Sequence, residues 1–509
     1  MTTSNSDAPT SVGKTSIIGL DAAELSAAIH ERRVSCVEVM NAYLDHIEVV
    51  NPSVNAIVAL RPRAELLHEA AAKDSLLAGG RDLGWMHGFP QAIKDLSDAT
   101  GFKTTRGFFR GDFDIPAAQT DSLHVARMRA AGSIIIGKTN VPQFGLGSHT
   151  YNDVFGATRN SYDQTRSAGG SSGGAAVAVA LHMLPVADGS DFMGSLRNPA
   201  AWNNILGLRP SFGRVPMEGM DVFVQQCGTP GPLARTATDL ALLLRTMAGH
   251  DPGVPLSIES DGGLSDGLDR DFTGARVAWM GDLGGYLPME PEVLELCTTA
   301  LAVFESLGMP VESVPGLPKA NGFNGNEDLW PLWLTIRHWL AGSQLYPLYE
   351  YPVTRAALKP EALYEVEGLL NGVDGHAPIT ALQAFAASVK RTAMYNAFLT
   401  LFDSYDFIAL PSVQVSPFDV DTEWPATING TTMSSYHRWM EVATIATLLG
   451  VPAISLPAGF DTAGLPTGIQ VLARSHADLE LLQLAHGWER HAPSGGAICP
   501  PLVRHTPGH

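Results

Sequence analysis

Two stretches of the chain set serine among glycine: GGSSGG at 169–174 and DGSDFMGSLRNPA at 188–200, which together hold Ser171, Ser172, Ser190 and Ser195. A serine flanked by glycine can stand clear of its neighbours, as a nucleophile must, yet a hydroxyl attacks poorly until a base takes its proton. Neither stretch contains the histidine that most often serves as that base. GSSGG around Ser172 satisfies G-x-S-x-G, the pattern of a nucleophile elbow, and so offers a Ser-His-Asp esterase as one reading. An elbow needs an apolar strand just before the serine, whereas TRNSYDQTRSAGG is polar and turn-like. A phosphate-cradling loop fits no better, because no G-K-[ST] closes the glycines. A flexible turn accounts for GGSSGG alone and leaves the second stretch unexplained.

The other candidate base is Lys94, which ends the apolar run GFPQAIK. Desolvation can lower a lysine from about 10.4 towards 7 or 8, at a cost of about 4 kcal/mol for three units. The competing uses of Lys94 are a surface position or an ion pair with Asp95 or Asp98.

Taken together, these segments resemble the amidase signature family of serine amidohydrolases. GFPQAIKD at 88–95 is similar to the family's G-x-P-x-x-[IV]-K-D, and GGSSGG stands unaltered. GSDFMGSLRNPA at 189–200 is similar to its nucleophile segment, G-T-D-x-G-G-S-[IL]-R-x-P-A, and Ser195 follows Ser171 by the family's 24 positions. Similarity continues in GKTNVPQFG (137–145), GLRPSFGRVP (207–216), GPLARTATDLALLL (231–244) and GVPAISLPAGF…GLPTGIQVLAR (450–474). It spans most of the chain from about 17 to 490, except 318–440, the region where the family's substrate choice varies.

The resemblance implies a Ser-Ser-Lys triad in which neutral Lys94 takes the proton of Ser171, Ser171 that of Ser195, and Ser195 carries the acyl group. It implies an oxyanion hole of backbone N–H groups from Phe192, Met193, Gly194 and Ser195, with Gly170, Ser172, Asp191 and Arg197 in support and Arg197 paired to Asp191. The chain departs from the pattern at Phe192 and Met193, where the family usually has Thr or a small residue and then Gly, and at Asn198. A Met where the family has Gly is expected to strain the loop.

These residues need rigid elements behind them. Apolar residues at helical intervals predict two helices after residue 20, capped by Asp21 and Ser35, and a third over 62–78. Short apolar runs ending in Gly or polar clusters predict strands at FPQAIK, SIIIGKT, 407–413, 452–459 and 468–474; GGAAVAVALHM (173–183) and DLELLQLAHGWERH read as helices. The expected fold is α/β, a large mixed twisted sheet with helices on both faces. It is expected as one domain over 17–490, with a disordered tail at 1–16 and a C-terminal tail at 491–509. Residues 330–351 hold Trp330, Trp333, Trp339, Tyr346, Tyr349 and Tyr351, either a core patch or the wall of a substrate pocket.

A net charge of −19 argues against nucleic acid as a partner. No signal peptide or membrane span is legible, so a cytoplasmic protein, monomer or homodimer, is expected. Cys36, Cys227, Cys297 and Cys499 are too scattered for a zinc site, and no metal or cofactor is expected. The bulk of Phe192 and Met193, with Trp330 and Trp333, suggests a pocket for an aryl amide, anilide or carbamate (urethane), hydrolysed with water as co-substrate and with possible esterase activity. The alternatives are the glutaminase component of a tRNA-dependent amidotransferase, whose loop keeps small residues, and a non-catalytic binding protein.

Overall fold

The Asp21 and Ser35 side chains each accept a hydrogen bond from the N–H three residues on, and their own N–H groups donate in return to the Glu24 and Glu38 carboxylates, so two capping boxes start the helices Ala22–His30 and Cys36–Val54. The computed structural model describes residues 16–492 and 499–504, apart from 110, 112, 220, 225, 261, 262 and 374. All but Ser16 of the expected N-terminal tail therefore lies outside the described residues.

The strand that ends in Lys94 belongs to a small sheet of its own. Here β1 (Ile57–Val58), β2 (Pro90–Lys94) and β3 (Ile134–Thr139) run in the order β1-β3-β2, with β2 parallel to β3. The large sheet is built from β4 (Ala187–Asp191), β5 (Leu206–Arg209), β6 (Thr229–Ala234), β7 (Val277–Trp279), β8 (Val311–Ser313) and β9 (Phe407–Pro411). After a hairpin of β10 (Thr427–Ile428) and β11 (Thr431–Thr432), β12 (Ala453–Phe460) and β13 (Pro466–Leu472) complete it. Its order is β4-β6-β5-β12-β13-β9-β7-β8, antiparallel except where β7 meets β8 and β9. The expected mixed sheet is present, and the strand carrying Lys94 lies outside it.

The helix Gly173–Ala180 is buried along its whole length, as its run of Gly, Ala and Val demands. A Cβ on Gly174 would collide with the backbone of Asn140, so only glycine lets the helix approach this closely. One apolar core joins the early helices, this helix and the inner strands. A second gathers Met193, Trp202, Trp333 and Trp439 with the helices Asn326–Arg337 and Ala381–Phe402, so the segment 318–440 packs directly behind the loop after β4. Among the described residues there is no disulfide; Cys36, Cys227 and Cys297 are buried and Cys499 is half-buried.

Candidate active site

Register decides which buried lysine meets the serines. β2 sets Ile93 against Lys138 of β3 and Lys94 against Thr139, and paired residues share a face, so Lys94 and Lys138 leave opposite faces. Asp95, one residue past Lys94, points the other way and forms an ion pair with Lys138 at 3.7 Å. The ion pair between Lys94 and Asp95 that the sequence leaves open is thereby excluded. Among the described residues Lys94 has no ion pair at all.

Oxygens surround the Lys94 amine instead: Nζ lies 2.9 Å from Ser171 Oγ, 2.7 Å from Ser172 Oγ, 3.0 Å from Ser190 Oγ and 3.2 Å from the Ser190 carbonyl. Three of the four are hydroxyls, which donate as readily as they accept, so the set suits a neutral amine with two N–H groups and one lone pair. Burial pushes the amine from its ordinary 10.5 down to about 7, against the opposing pull of the Asp188 and Asp191 carboxylates.

Ser171 and Ser172 follow a cis peptide bond at Gly170–Ser171, and Ser172 stands at the N-cap position of the helix Gly173–Ala180 without a side-chain capping bond. Ser172 is fully buried; its hydroxyl meets Lys94 and the Ser190 backbone and no histidine. It therefore lacks the histidine that a Ser-His-Asp nucleophile needs, and at 0 % exposure it is more deeply buried than Ser195 at 5 %. The Ser172 N–H donates to the Ser195 carbonyl at 3.2 Å, tying the two serine stretches together. The Ser195 hydroxyl has no hydrogen-bond partner among the described residues.

Asp191, the last residue of β4, organises the loop that carries Ser195. Its carboxylate accepts from the Gly194 N–H at 2.8 Å and the Leu196 N–H at 3.2 Å, and pairs with Arg197 at 3.0 Å and Arg209 at 3.3 Å. Burial alone would raise its pKa, but the two guanidiniums and the N–H donors hold the group well below the usual carboxylate range. The Arg197–Asp191 pair expected from sequence is present. The Gly194 N–H, expected in an oxyanion hole, is committed to Asp191, whereas those of Phe192, Met193 and Ser195 have no partner among the described residues. The strain expected at Met193 is absent too. The left-handed turn falls one residue later, at Gly194, with φ +83°, where a Cβ would also come within 2.7 Å of the Ala443 Cβ.

The four residues expected to line an aryl pocket separate. Met193 and Trp333 are core residues at 2 % and 0 % exposure, so neither presents a face to a ligand. Phe192 alone keeps part of its surface open, with its ring 5.8 Å from that of Trp333 and under the guanidinium of Arg337 at 5.6 Å. Trp330 faces elsewhere, on to a cavity of about 640 Å³ that it shares with Tyr286, Met289, Thr432 and Arg438 and that none of Lys94, Ser171 and Ser195 lines.

Several contributors escaped the sequence reading. Arg337 is buried behind Phe192, paired with Glu365 and accepted by the Tyr436 hydroxyl at 2.6 Å each. Ser190 and Asp188, alternate residues of β4, both face Lys94, and the period of a strand running into Ser195 was the signal that could have found them.

Comparison with known proteins identifies the family to which this fold belongs. The family model for amidases matches residues 38–482. An acylamidase from Rhodococcus erythropolis is 34 % identical over 93 % of this chain and 96 % of its own length. A glutamyl-tRNA(Gln) amidotransferase component from Alkaliphilus metalliredigens is 31 % identical over 90 % of this chain and 94 % of its own. The crystal structure of a bacterial aryl acylamidase of the amidase signature family superposes with a TM-score of 0.85 at 29 % identity, covering 96 % of this chain and 99 % of that one. The chain belongs to the amidase family and is an amidohydrolase acting on amides.

Proposed function

We propose that the protein hydrolyses the C–N bond of linear amides that carry an aryl group, anilides or aryl carbamates among them, through Lys94, Ser171, Ser195 and an acyl-enzyme. The observation that carries this reading is a fully buried lysine that has no ion pair among the described residues and touches a serine hydroxyl. As Ser195 Oγ attacks the carbonyl carbon, its proton passes to Ser171 Oγ and the Ser171 proton to the lone pair of Lys94. The N–H groups of Phe192, Met193 and Ser195 meet the oxyanion, their orientation fixed beforehand by Asp191. Lys94 then returns a proton through Ser171 to the leaving nitrogen, the C–N bond breaks, and the acyl group stays on Ser195. Water, deprotonated by the same relay, cleaves the acyl ester and regenerates the serine.

The pH dependence follows from the sign of the Lys94 shift. The active form is the neutral amine, so kcat/KM is expected to rise with pH through about 7 and to be lost below it as the ammonium forms. An unshifted lysine at 10.5 would be neutral in only about one molecule in three thousand at pH 7. A profile still climbing steeply above pH 9 would count against the proposed base.

The aryl preference draws on the half-buried ring of Phe192, three residues before Ser195 in the same loop, and on the acylamidase and aryl acylamidase among the relatives. Burying about 50 Å² of a substrate ring against Phe192 is worth about 1.3 kcal/mol, close to tenfold in kcat/KM. Phe192→Ala is thus expected to reduce the rate for an acetanilide about tenfold while leaving that for acetamide nearly unchanged. Equal losses on both substrates would remove the basis for an aryl pocket.

A further inference from the structure

We propose that Asp188 sets the proton affinity of Lys94, acting on it through space as a positioning residue; the inference rests on the reading of Lys94 as the base. Asp188 lies on β4, fully buried, and its carboxylate accepts the Lys94 backbone N–H at 3.2 and 3.3 Å. That bond joins β2 of the small sheet to β4 of the large one and holds the carboxylate beside the lysine. On its other side Asp188 meets His124 Nε2, 3.4 Å away on the buried face of the helix Leu123–Ala130. Among the described residues these are its partners, and no arginine is among them.

The other charges around Lys94 are already matched. Asp191 is held by Arg197 and Arg209, and Lys138, on the far face of β3, is paired with Asp95. Asp188 shares its field with Lys138, which is ion-paired to Asp95, and has no guanidinium of its own, so of the two carboxylates acting on Lys94 it is the less offset. Burial drives the amine down, and Asp188 is the foremost charge acting against it. A weaker opposing charge would give a lysine neutral at lower pH but a poorer base, since the strength of a general base falls with its pKa.

The test uses the full-length protein with ε-¹³C-lysine, the Lys94 signal being assigned by its loss in Lys94→Met. In Asp188→Asn the titration midpoint of Lys94 is expected about one pH unit below that of the wild type, a tenfold loss of proton affinity. The acid limb of kcat/KM should follow it. A purely structural role for Asp188 would lower kcat without moving either. An unmoved Lys94 midpoint in folded Asp188→Asn overturns the inference. A moved midpoint with an unmoved acid limb supports it and refutes instead the assignment of Lys94 as the base. Should Asp188→Asn fail to fold, His124→Leu provides the same test with the opposite sign. Removing the imidazole leaves the carboxylate less compensated, so the Lys94 midpoint should rise, and an unmoved one overturns the inference.

Discussion

Ser195→Ala is expected to lose turnover by about 10,000-fold or more, together with all labelling by a fluorophosphonate probe. Nucleophile and base act as a unit, so removing either member removes nearly the whole effect, and Lys94→Met should cost as much as Ser195→Ala, with no further loss in the double variant. Ser172 contacts the same amine but is buried behind it, so Ser172→Ala is expected to keep a measurable fraction of activity and full labelling at Ser195. Steady-state kinetics on an anilide and mass spectrometry of the labelled peptide check both statements. Labelling that persists in Ser195→Ala and vanishes in Ser172→Ala would reverse the assignment of the nucleophile.

The second large effect is on stability. Asp191→Ala leaves Arg197 and Arg209 buried side by side without their shared carboxylate and frees two N–H groups of the loop. Breaking a buried ion pair by removing one partner costs about 3–5 kcal/mol, which urea unfolding would read directly. Because the folded-state pKa of Asp191 lies below its unfolded value, its stabilisation is fully present above about pH 4 and is lost as pH falls further. The wild type is therefore expected to weaken steeply on the acid side and the variant to show a flatter profile there. A loss under about 1 kcal/mol in Asp191→Ala would mean that the cluster does not hold the loop.

Local chemistry made much of this legible. The capping residues Asp21 and Ser35, the strand ending at Lys94 and the buried helix after GGSSGG each declare themselves within a few residues, and each is found where expected. The separate small sheet was not legible, because an apolar run announces a strand but not its partner. Nor could composition sort the aromatics. Trp330 and Trp333 sit one helical turn apart, yet one borders a cavity and the other is sealed beneath Phe192, a difference set by what packs on each side of the helix. The expectation at Met193 failed because the family pattern has two successive glycine-like positions, and only the backbone angle shows that the second, Gly194, needs the freedom.

Lys94 belongs to the small sheet and the loop of Ser195 to the large one, and the contact between them is what dries the amine. A chain caught before those two layers close would hold a hydrated, ionised lysine, and its serines would be ordinary alcohols. On the proposed mechanism the reactive centre thus carries its own safety catch: a molecule whose two sheets have not closed is expected to give no labelling with a fluorophosphonate probe.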